Sequence, residues 1–207
     1  MKTLFSLYRQ SLAGLRAMLV ATLVLGLAYP LVVQGAAAVA APWASQGSMV
    51  TADGERTTDP DEAVGSVLIG QVVDDPDLFQ PRPSAAGDGY GYDTLASAGS
   101  NLGPESPDLV ALVQERRAEV ATREGVTVSQ VPVDAVTASG SGLDPHVSVA
   151  YAELQAPRVA RAQGLDVADV EALVRAHTDG RTLGVLGEPR VNVLELNAAV
   201  LRAADDD

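Results

Sequence analysis

The sequence predicts an α+β protein, with a single N-terminal transmembrane helix followed by one exported soluble domain. Residues 17–52 contain no charged side chain, and the first half of this run is strongly apolar. After this run, helix and strand patterns occur without regular alternation, which favours α+β over a doubly wound sheet. We therefore divide the chain into a cytoplasmic N-terminus (1–16), a transmembrane helix (17–38), a linker (39–61) and an extracytoplasmic domain (62–207).

The predicted membrane helix is long enough to cross a bilayer. Residues 17–33 read AMLVATLVLGLAYPLVV, and the softer stretch Gln34–Ala41 extends them towards the roughly 20 residues that a span requires. Three basic residues precede the run and acids dominate after it, so the positive-inside rule places the N-terminus in the cytoplasm. A cleaved signal peptide with a site at 38–40 is the alternative interpretation. Both interpretations export the domain.

The elements that follow are predicted from hydropathy patterns and turn residues. Residues 46–61 fit a linker or a hairpin, and 64–73 (VGSVLIGQVV) fit a buried strand. The stretch 76–102 is rich in proline and in glycine turns, including Gly89-Tyr90, and should be irregular. Residues 191–196 (VNVLEL) are predicted to form the last strand, and a short helix from Asn197 closes the chain.

Three helices are predicted between these strands, each from a capping residue. The first also has a partial apolar stripe, and the third has an apolar face at helical spacing. A proline at position 157 predicts a kink or a delayed start in the second helix. The N-cap residues and terminating glycines are Ser106 with Gly125, Ser148 with Gly164, and Asp166.

Composition excludes several functional classes. The chain has no cysteine, a single lysine at position 2 and only two histidines, which excludes thiolate metal sites, a three-histidine metal site and a phosphate loop with its lysine. The net charge is -13, and residues 17–207 carry -16, since all 27 acidic residues but only 11 of the basic ones lie there. Such a domain should repel nucleic acid.

The loop 137–146 (TASGSGLDPH) concentrates chemically capable residues. It supplies the serine, aspartate and histidine of a hydrolase triad, at Ser139, Ser141, Asp144 and His146. The G-x-S-x-G elbow that such enzymes carry around the serine is missing. In the simpler interpretation, which we favour, the serines satisfy turn backbone groups and Asp144 makes an Asx-turn before Pro145.

Two further features are candidate contact sites. The glycine-rich loop 97–107, with Asn101, Gly103 and Pro104, precedes a helix N-terminus, where an anion site would lie. Acidic neighbours and the absence of adjacent basic residues argue against an anion there. Arg82, held extended between two prolines, is predicted to contact a partner or to pair with a nearby acid.

At these loops the sequence resembles the KdpC family, the C subunits of bacterial Kdp potassium-transporting P-type ATPases. The matching stretches lie between residues 65 and 197, behind the single N-terminal span that the family also has. They are 65–71 (GSVLIGQ), 79–85 (FQPRPSA), 99–104 (GSNLGP), 131–146 (VPVDAVTASGSGLDPH), 158–165 (RVARAQGL) and 182–197 (TLGVLGEPRVNVLELN).

The resemblance implies a non-catalytic accessory subunit of a high-affinity potassium uptake complex. Its expected partners are KdpA, a channel-like potassium-binding subunit, KdpB, which hydrolyses ATP, the small helix KdpF, and the lipid bilayer. The family is expected to raise the ATP affinity of KdpB. The predicted topology argues against direct nucleotide contact by the soluble domain, and potassium is expected to be handled by the complex. An exported hydrolase or a free periplasmic binding protein remains the alternative function.

The resemblance also bears on the candidate site residues. No residue is expected to be catalytic, to bind a cofactor or to ligate a metal. Instead, we expect the two glycine-rich loops and Arg82 to face a partner or to define the fold. The residues concerned are Arg82, Asn101, Gly103, Pro104, Ser139, Ser141, Asp144 and His146.

Overall fold

The computed structural model describes residues 2–88 and 91–206, so the predicted Gly89-Tyr90 turn lies outside the described residues. The chain divides into two compact units, with the boundary between Gly47 and Ser48. Residues 48–61, which the sequence assigned to a linker, therefore belong by their contacts to the second unit. The two units are described separately.

The first unit is helical throughout most of its length. Helix α1 covers Lys2–Leu23, a π-helical turn covers Val24–Ala28, α2 covers Tyr29–Ala40, and the short α3 covers Pro42–Ser45. The π-helical turn ends two residues before Pro30, whose ring lacks an N–H and crowds the preceding turn, so the widened turn has an identifiable cause. Residues 3–40 form one candidate membrane span, since they are helical and are long and apolar enough to cross a membrane.

The second unit begins with a small antiparallel sheet in the order β2-β1-β3. Strand β1 is Met49–Val50, β2 is Arg56–Thr57 and β3 is Gly65–Ser66, so the segment predicted to be a linker or hairpin contains a hairpin. The predicted strand over 64–73 is wrong beyond β3. The chain leaves the sheet because it packs closely on another loop, where a Cβ on Gly70 would lie 2.5 Å from the Asp144 carbonyl oxygen.

The long segment 76–102 is irregular wherever the structure describes it, as predicted. It is nevertheless well attached, because Phe79 and Ala86 are fully buried. Its backbone therefore has a fixed course over the domain, although it forms no helix or strand.

The three predicted helices are present. Helix α4 covers Pro107–Glu124, α5 covers Val149–Gln163 and α6 covers Val167–Ala176. The Ser148 hydroxyl caps α5 by accepting the Tyr151 N–H at 3.0 Å, whereas Ser106 and Asp166 precede their helices without a side-chain cap bond.

Two further sequence signals in these helices also have structural outcomes. Gly125 and Gly164 end α4 and α5 in left-handed conformations, with φ of +69° and +73°. Pro157 lies on the exposed side of α5 and does not break it, contrary to the predicted delayed start.

The second sheet is antiparallel in the order β4-β6-β5, with β4 at His146–Ser148, β5 at Thr178–Asp179 and β6 at Arg190–Asn192. The predicted strand over 191–196 is wrong after Asn192, because helix α7 covers Val193–Asp206. Asn192 explains the switch: its side-chain oxygen accepts the N–H groups of Leu194 and Glu195 at 3.1 and 3.3 Å, as an N-cap residue does.

The core lies between α5, α6, α7 and the β4-β6-β5 sheet. It consists mainly of valine and alanine, with a few larger side chains filling the centre. Helices and small antiparallel sheets therefore share one core, which confirms the α+β class. The largest fully buried apolar side chains of this core are Tyr151, Phe79, Leu196, Val136, Val159, Val170, Val174, Val191 and Val200.

Candidate functional site

Arg82 lies at the centre of the region where the predicted site residues meet. Its Nη1 donates to Asp144 Oδ2 at 2.9 Å, and its Nε and Nη2 each donate to the Thr137 carbonyl at 3.2 Å. The flanking Pro81 and Pro83 restrict the backbone, so the guanidinium is aimed from a stiff segment. Of the two predictions made for Arg82, the structure shows the pair with a nearby acid.

Asp144 links Arg82 to His146. Its Oδ1 accepts the His146 N–H at 3.0 Å, which makes the predicted Asx-turn, and lies 3.2 Å from His146 Nδ1. Burial alone would raise the pKa of the Asp144 carboxyl. Hydrogen bonds from the His146 ring and backbone, together with the Arg82 guanidinium, outweigh burial and lower that pKa to about 2. Asp144 is therefore a firmly ionised group at neutral pH.

The two loop serines bond within their own turn. Ser139 Oγ accepts the Gly142 N–H at 2.9 Å, Ser141 Oγ accepts the Leu143 N–H at 3.1 Å, and the two hydroxyl oxygens lie 3.3 Å apart. The hydrogen bonds of His146 go to Asp144 rather than to either hydroxyl. The geometry thus matches the turn interpretation of this loop.

Gly142 marks the closest approach between the loop 137–146 and the segment 82–98. Its φ is +68°, and a Cβ there would lie 2.6 Å from the Ala98 carbonyl oxygen. Ser84 Oγ donates to the Gly142 carbonyl at 2.7 Å and accepts the Tyr92 N–H at 2.8 Å. The two loops are therefore joined by direct hydrogen bonds and by a contact that only glycine permits.

Tyr92 fixes the course of the backbone at Arg82, since its hydroxyl donates to the Arg82 carbonyl at 2.7 Å. Burial, reinforced by the charge of Asp144, raises the pKa of the Tyr92 phenol well above its usual range. The phenol therefore remains a hydrogen-bond donor at any physiological pH.

The other candidate loop is not part of this cluster. Asn101 has a φ of +54° and is exposed, as are Gly103 and Pro104. Only the start of the loop meets the first one, because a Cβ on Gly99 would lie 3.2 Å from the Gly140 carbonyl oxygen. The structure thus brings together five of the eight candidate residues and leaves these three on the surface.

Sequence reasoning missed a pair of buried side-chain amides, which we call the amide clamp. Asn197 Oδ1 accepts the Phe79 N–H and Asn197 Nδ2 donates to the Phe79 carbonyl, both at 2.9 Å. Gln155 does the same for Gln80, at 2.8 and 3.2 Å. Both clamp residues are buried. They bond the backbone of the two residues that precede Pro81, as a neighbouring strand would.

Arg158 extends the clamp. Its Nη2 donates to Gln155 Oε1 at 3.0 Å and to the Leu78 carbonyl at 3.1 Å, and its Nη1 donates to the Pro76 carbonyl. Its Nε bonds the carboxylate of Glu124, which is fully buried. The available signal was helical periodicity, since Gln155 lies on the face of α5 that also carries Ala152 and Val159.

Two cavities flank Arg82. A cleft of about 280 Å³ lies on one side and is lined by Asp134, Asp144, His146, Glu188 and Arg190 among others. A cavity of about 380 Å³ lies on the other. Its charged and phenolic lining residues are Arg116, Glu119, Arg123, Tyr92 and Tyr151.

Arg123, which lines the second cavity, has partners within the chain. Arg123 donates to the Tyr151 hydroxyl at 2.8 Å and pairs with Glu124 at 2.7 Å. Burial would lower the pKa of Arg123, but Tyr151 and Glu124 outweigh it and raise that pKa. Across residues 2–88 and 91–206, no three histidine, aspartate or glutamate side chains group closely enough to hold a metal ion.

Comparisons with known proteins agree on one family. The family model described as K+-transporting ATPase, c chain, matches residues 11–202. A protein from Kineococcus radiotolerans is 54% identical over 201 residues, covering 97% of each chain. Others from Sorangium cellulosum (50%, covering 91% of this chain and 97% of its own) and Mycobacterium tuberculosis (46%, 94% and 98%) carry the same name, potassium-transporting ATPase KdpC subunit.

Proposed function

Because this chain belongs to the KdpC family and is thus an accessory subunit of the Kdp potassium-transporting ATPase, we propose that it supports a core formed by KdpA and KdpB, with KdpF as a further small subunit. In this proposal KdpA carries the potassium path and KdpB hydrolyses ATP. Neither of the alternative functions, an exported hydrolase or a free periplasmic binding protein, is supported by the relatives.

One observation carries this proposal beyond family membership. The polar side chains that could take part in catalysis or binding instead form hydrogen bonds within the chain. Arg82 bonds Asp144, and the two loop serines bond their own turn. A site built this way positions loops. It supports a role in assembly, in which a stiff domain is tethered to the membrane by the candidate span over 3–40.

The primary test is co-purification of the full-length chain with KdpA and KdpB from solubilised membranes. We expect all to elute together, and we expect potassium-stimulated ATP hydrolysis to be lost when this chain is omitted. Elution of this chain alone, with full activity in the remaining complex, would contradict the proposal.

We place the N-terminus in the cytoplasm and the second unit outside, because residues 1–16, before the uncharged run 17–52, carry three basic residues and the following domain is strongly acidic. The absence of native cysteine permits a clean test. Leu95→Cys, at an exposed position of the domain, should react with a membrane-impermeant maleimide in intact cells. Ser6→Cys should react only after lysis. The reverse pattern would contradict this topology, and a mature N-terminus at Ala41 would show cleavage instead of anchoring.

We further propose that the domain binds no nucleotide itself. The proposed topology separates it from a cytoplasmic ATP site, and two arginines beside the cavities are already engaged, Arg82 by Asp144 and Arg123 by Tyr151 and Glu124. Calorimetric titration of ATP into the purified full-length chain should give no measurable heat of binding. A micromolar dissociation constant would overturn this part of the proposal.

The candidate residues are proposed to divide between two roles. Arg82, Asp144 and His146 define the fold of the joined loops, whereas exposed Asn101 faces a partner. His146→Ala should therefore lower the melting temperature of the chain. Asn101→Gly tolerates the same positive φ and should leave that temperature unchanged while weakening assembly. If both variants assemble normally, the partner-facing role of this loop is wrong.

A further inference from the structure

A rigid hairpin with an apolar tip projects from the second sheet of the domain. Residues 180–189 connect β5 to β6, and their tip is closed by two reciprocal backbone bonds between Thr182 and Leu186, at 2.8 and 3.0 Å. A further bond from the Gly184 N–H to the Arg181 carbonyl, at 2.9 Å, completes the turn. The conformation of the tip is thus fixed before any partner arrives.

The tip presents three aliphatic side chains to solvent. Leu183, Val185 and Leu186 are 87%, 71% and 59% exposed, and none of them belongs to the core formed by the described residues. Isolated exposed aliphatics are ordinary on protein surfaces, but a contiguous group on a protruding element is typical of an interaction site.

The backbone of the tip is unfavourable for the residue that it carries. Leu183 has a φ of +54°, in the left-handed region that glycine or asparagine adopts more readily than leucine does. Such outliers persist where the side chain or the geometry has a use. The Leu183 side chain is 87% exposed, so packing within its own domain does not account for a leucine at this position.

The charge around the tip indicates the kind of partner. Residues 182–187 are uncharged, and Arg181 and Glu188 at their ends neutralise each other at 2.6 Å, although residues 17–207 as a whole carry -16. A basic surplus or an aromatic side chain, which binding to lipid headgroups favours, is lacking in residues 180–189. A neutral, apolar contact surface fits the core of a protein interface.

We infer that Leu183, Val185 and Leu186 form a docking knob that inserts into an uncharged apolar pocket on another protein subunit of the transport complex. The inference rests on the proposed function, because it names the surface by which this accessory subunit is held.

The test compares two knob variants with a matched control in the full complex, purified in detergent. On dilution of the complex, half of this chain dissociates from its partners at a characteristic concentration of the complex. Val185→Ser should raise that concentration about tenfold or more, as loss of an interface anchor does. Val133→Ser removes a valine of similar exposure (68%) elsewhere in the domain and should leave that concentration unchanged.

Leu183→Asn separates docking from folding. Asparagine adopts the left-handed backbone more readily, so the unfolding midpoint of the full-length chain should stay the same or rise. Dissociation from the complex should nevertheless increase about tenfold or more. A residue with a purely structural role would not show this opposite pair of effects.

Several results would overturn the inference. The first is unchanged dissociation of both knob variants, and the second is an equally large loss of binding to the complex with Val133→Ser. The third is a loss of binding that is seen only after reconstitution into lipid vesicles. The fourth is self-association of the purified chain that the knob variants abolish. The third result would assign the knob to the bilayer and the fourth to a second copy. If the wild-type chain fails to co-purify, the proposed function falls too, whereas wild-type co-purification with unchanged variants refutes the knob alone.

Discussion

The amide clamp makes a quantitative prediction for Asn197→Ala. The Asn197 side chain makes both of the hydrogen bonds available to the Phe79 backbone, and residue 197 is buried in the folded domain. Alanine in its place leaves a buried N–H and a buried carbonyl without these partners. Phe79 itself fills the centre of the core, so the chain cannot move outward to reach water without exposing that ring.

The magnitude follows from the two orphaned groups. Each buried, unsatisfied polar group costs about 1–3 kcal/mol. Alanine is a better helix former than asparagine in α7 and regains a few tenths of a kcal/mol. We expect the free energy of unfolding to fall by about 2–5 kcal/mol, which in a domain of this size corresponds to roughly 5–15 °C in melting temperature.

The assay is urea unfolding of the full-length chain in detergent micelles, followed by circular dichroism, together with hydrogen exchange at the Phe79 amide. That amide should exchange much faster in Asn197→Ala than in the wild type, because it loses its acceptor. Gln114→Ala is the matched control, since it removes a side-chain amide from an exposed helical position. This control should change the free energy of unfolding by less than about 0.5 kcal/mol.

The reasoning fails if Asn197→Ala is as stable as Gln114→Ala and if the Phe79 amide keeps its protection. Such a result would mean that the segment 76–84 is held by apolar packing alone. A loss of stability with unchanged exchange at Phe79 would also contradict the clamp, because it would locate the damage elsewhere in the core.

Three further substitutions test other contacts. The lowered pKa of Asp144 means that its ionised form stabilises the fold above about pH 4, and this stability is lost as the pH falls to about 2. Asp144→Asn should remove about 1–2 kcal/mol of this acid-dependent stability, since solvent screens part of the effect. If the wild type and the variant lose the same free energy of unfolding between pH 4 and pH 2, the prediction is wrong. Gly142→Ala should cost more than 2 kcal/mol, because its Cβ would clash with Ala86 and Ala98. Gly125→Ala, with a similar φ and open space around it, should cost only about 1 kcal/mol, and equal melting temperatures for the two variants would contradict the close approach at Gly142. Pro157→Ala should raise the free energy of unfolding by about 1–3 kcal/mol, because it restores a helix hydrogen bond at an exposed position of α5. If calorimetry shows a lower free energy of unfolding instead, the proline ring makes a stabilising contact.

Features that depend on neighbouring residues could be read from the sequence. Helices α4 and α5 end at Gly125 and Gly164 because a residue with positive φ stops a helix locally. The Asx-turn at Asp144 and the serine turn before it likewise need only residues within a few positions. The family resemblance rested on the same local stretches, and the comparisons confirm it.

The two strand predictions that went wrong show the limit of local patterns. Residues 64–73 and 191–196 have the β-branched composition of buried strands. In the fold, the first run leaves its sheet to let Gly70 pack on a distant loop, and the second becomes helical because Asn192 caps α7. Apolar composition predicted burial, but burial can be satisfied by a strand, a helix or an irregular segment.

What the sequence determined by itself was the candidate membrane span, the glycine ends of α4 and α5, the turn chemistry and the family. Only the tertiary structure decided that Arg82 pairs with Asp144, 62 positions away, and that Asn197 holds Phe79, 118 positions away. The physical reason is that a cap or turn is satisfied within a few residues, whereas a partly buried charge or a buried amide takes whichever partner the packed fold brings to it. A guanidinium between two prolines and an asparagine among helical valines therefore have definite roles only in the folded domain.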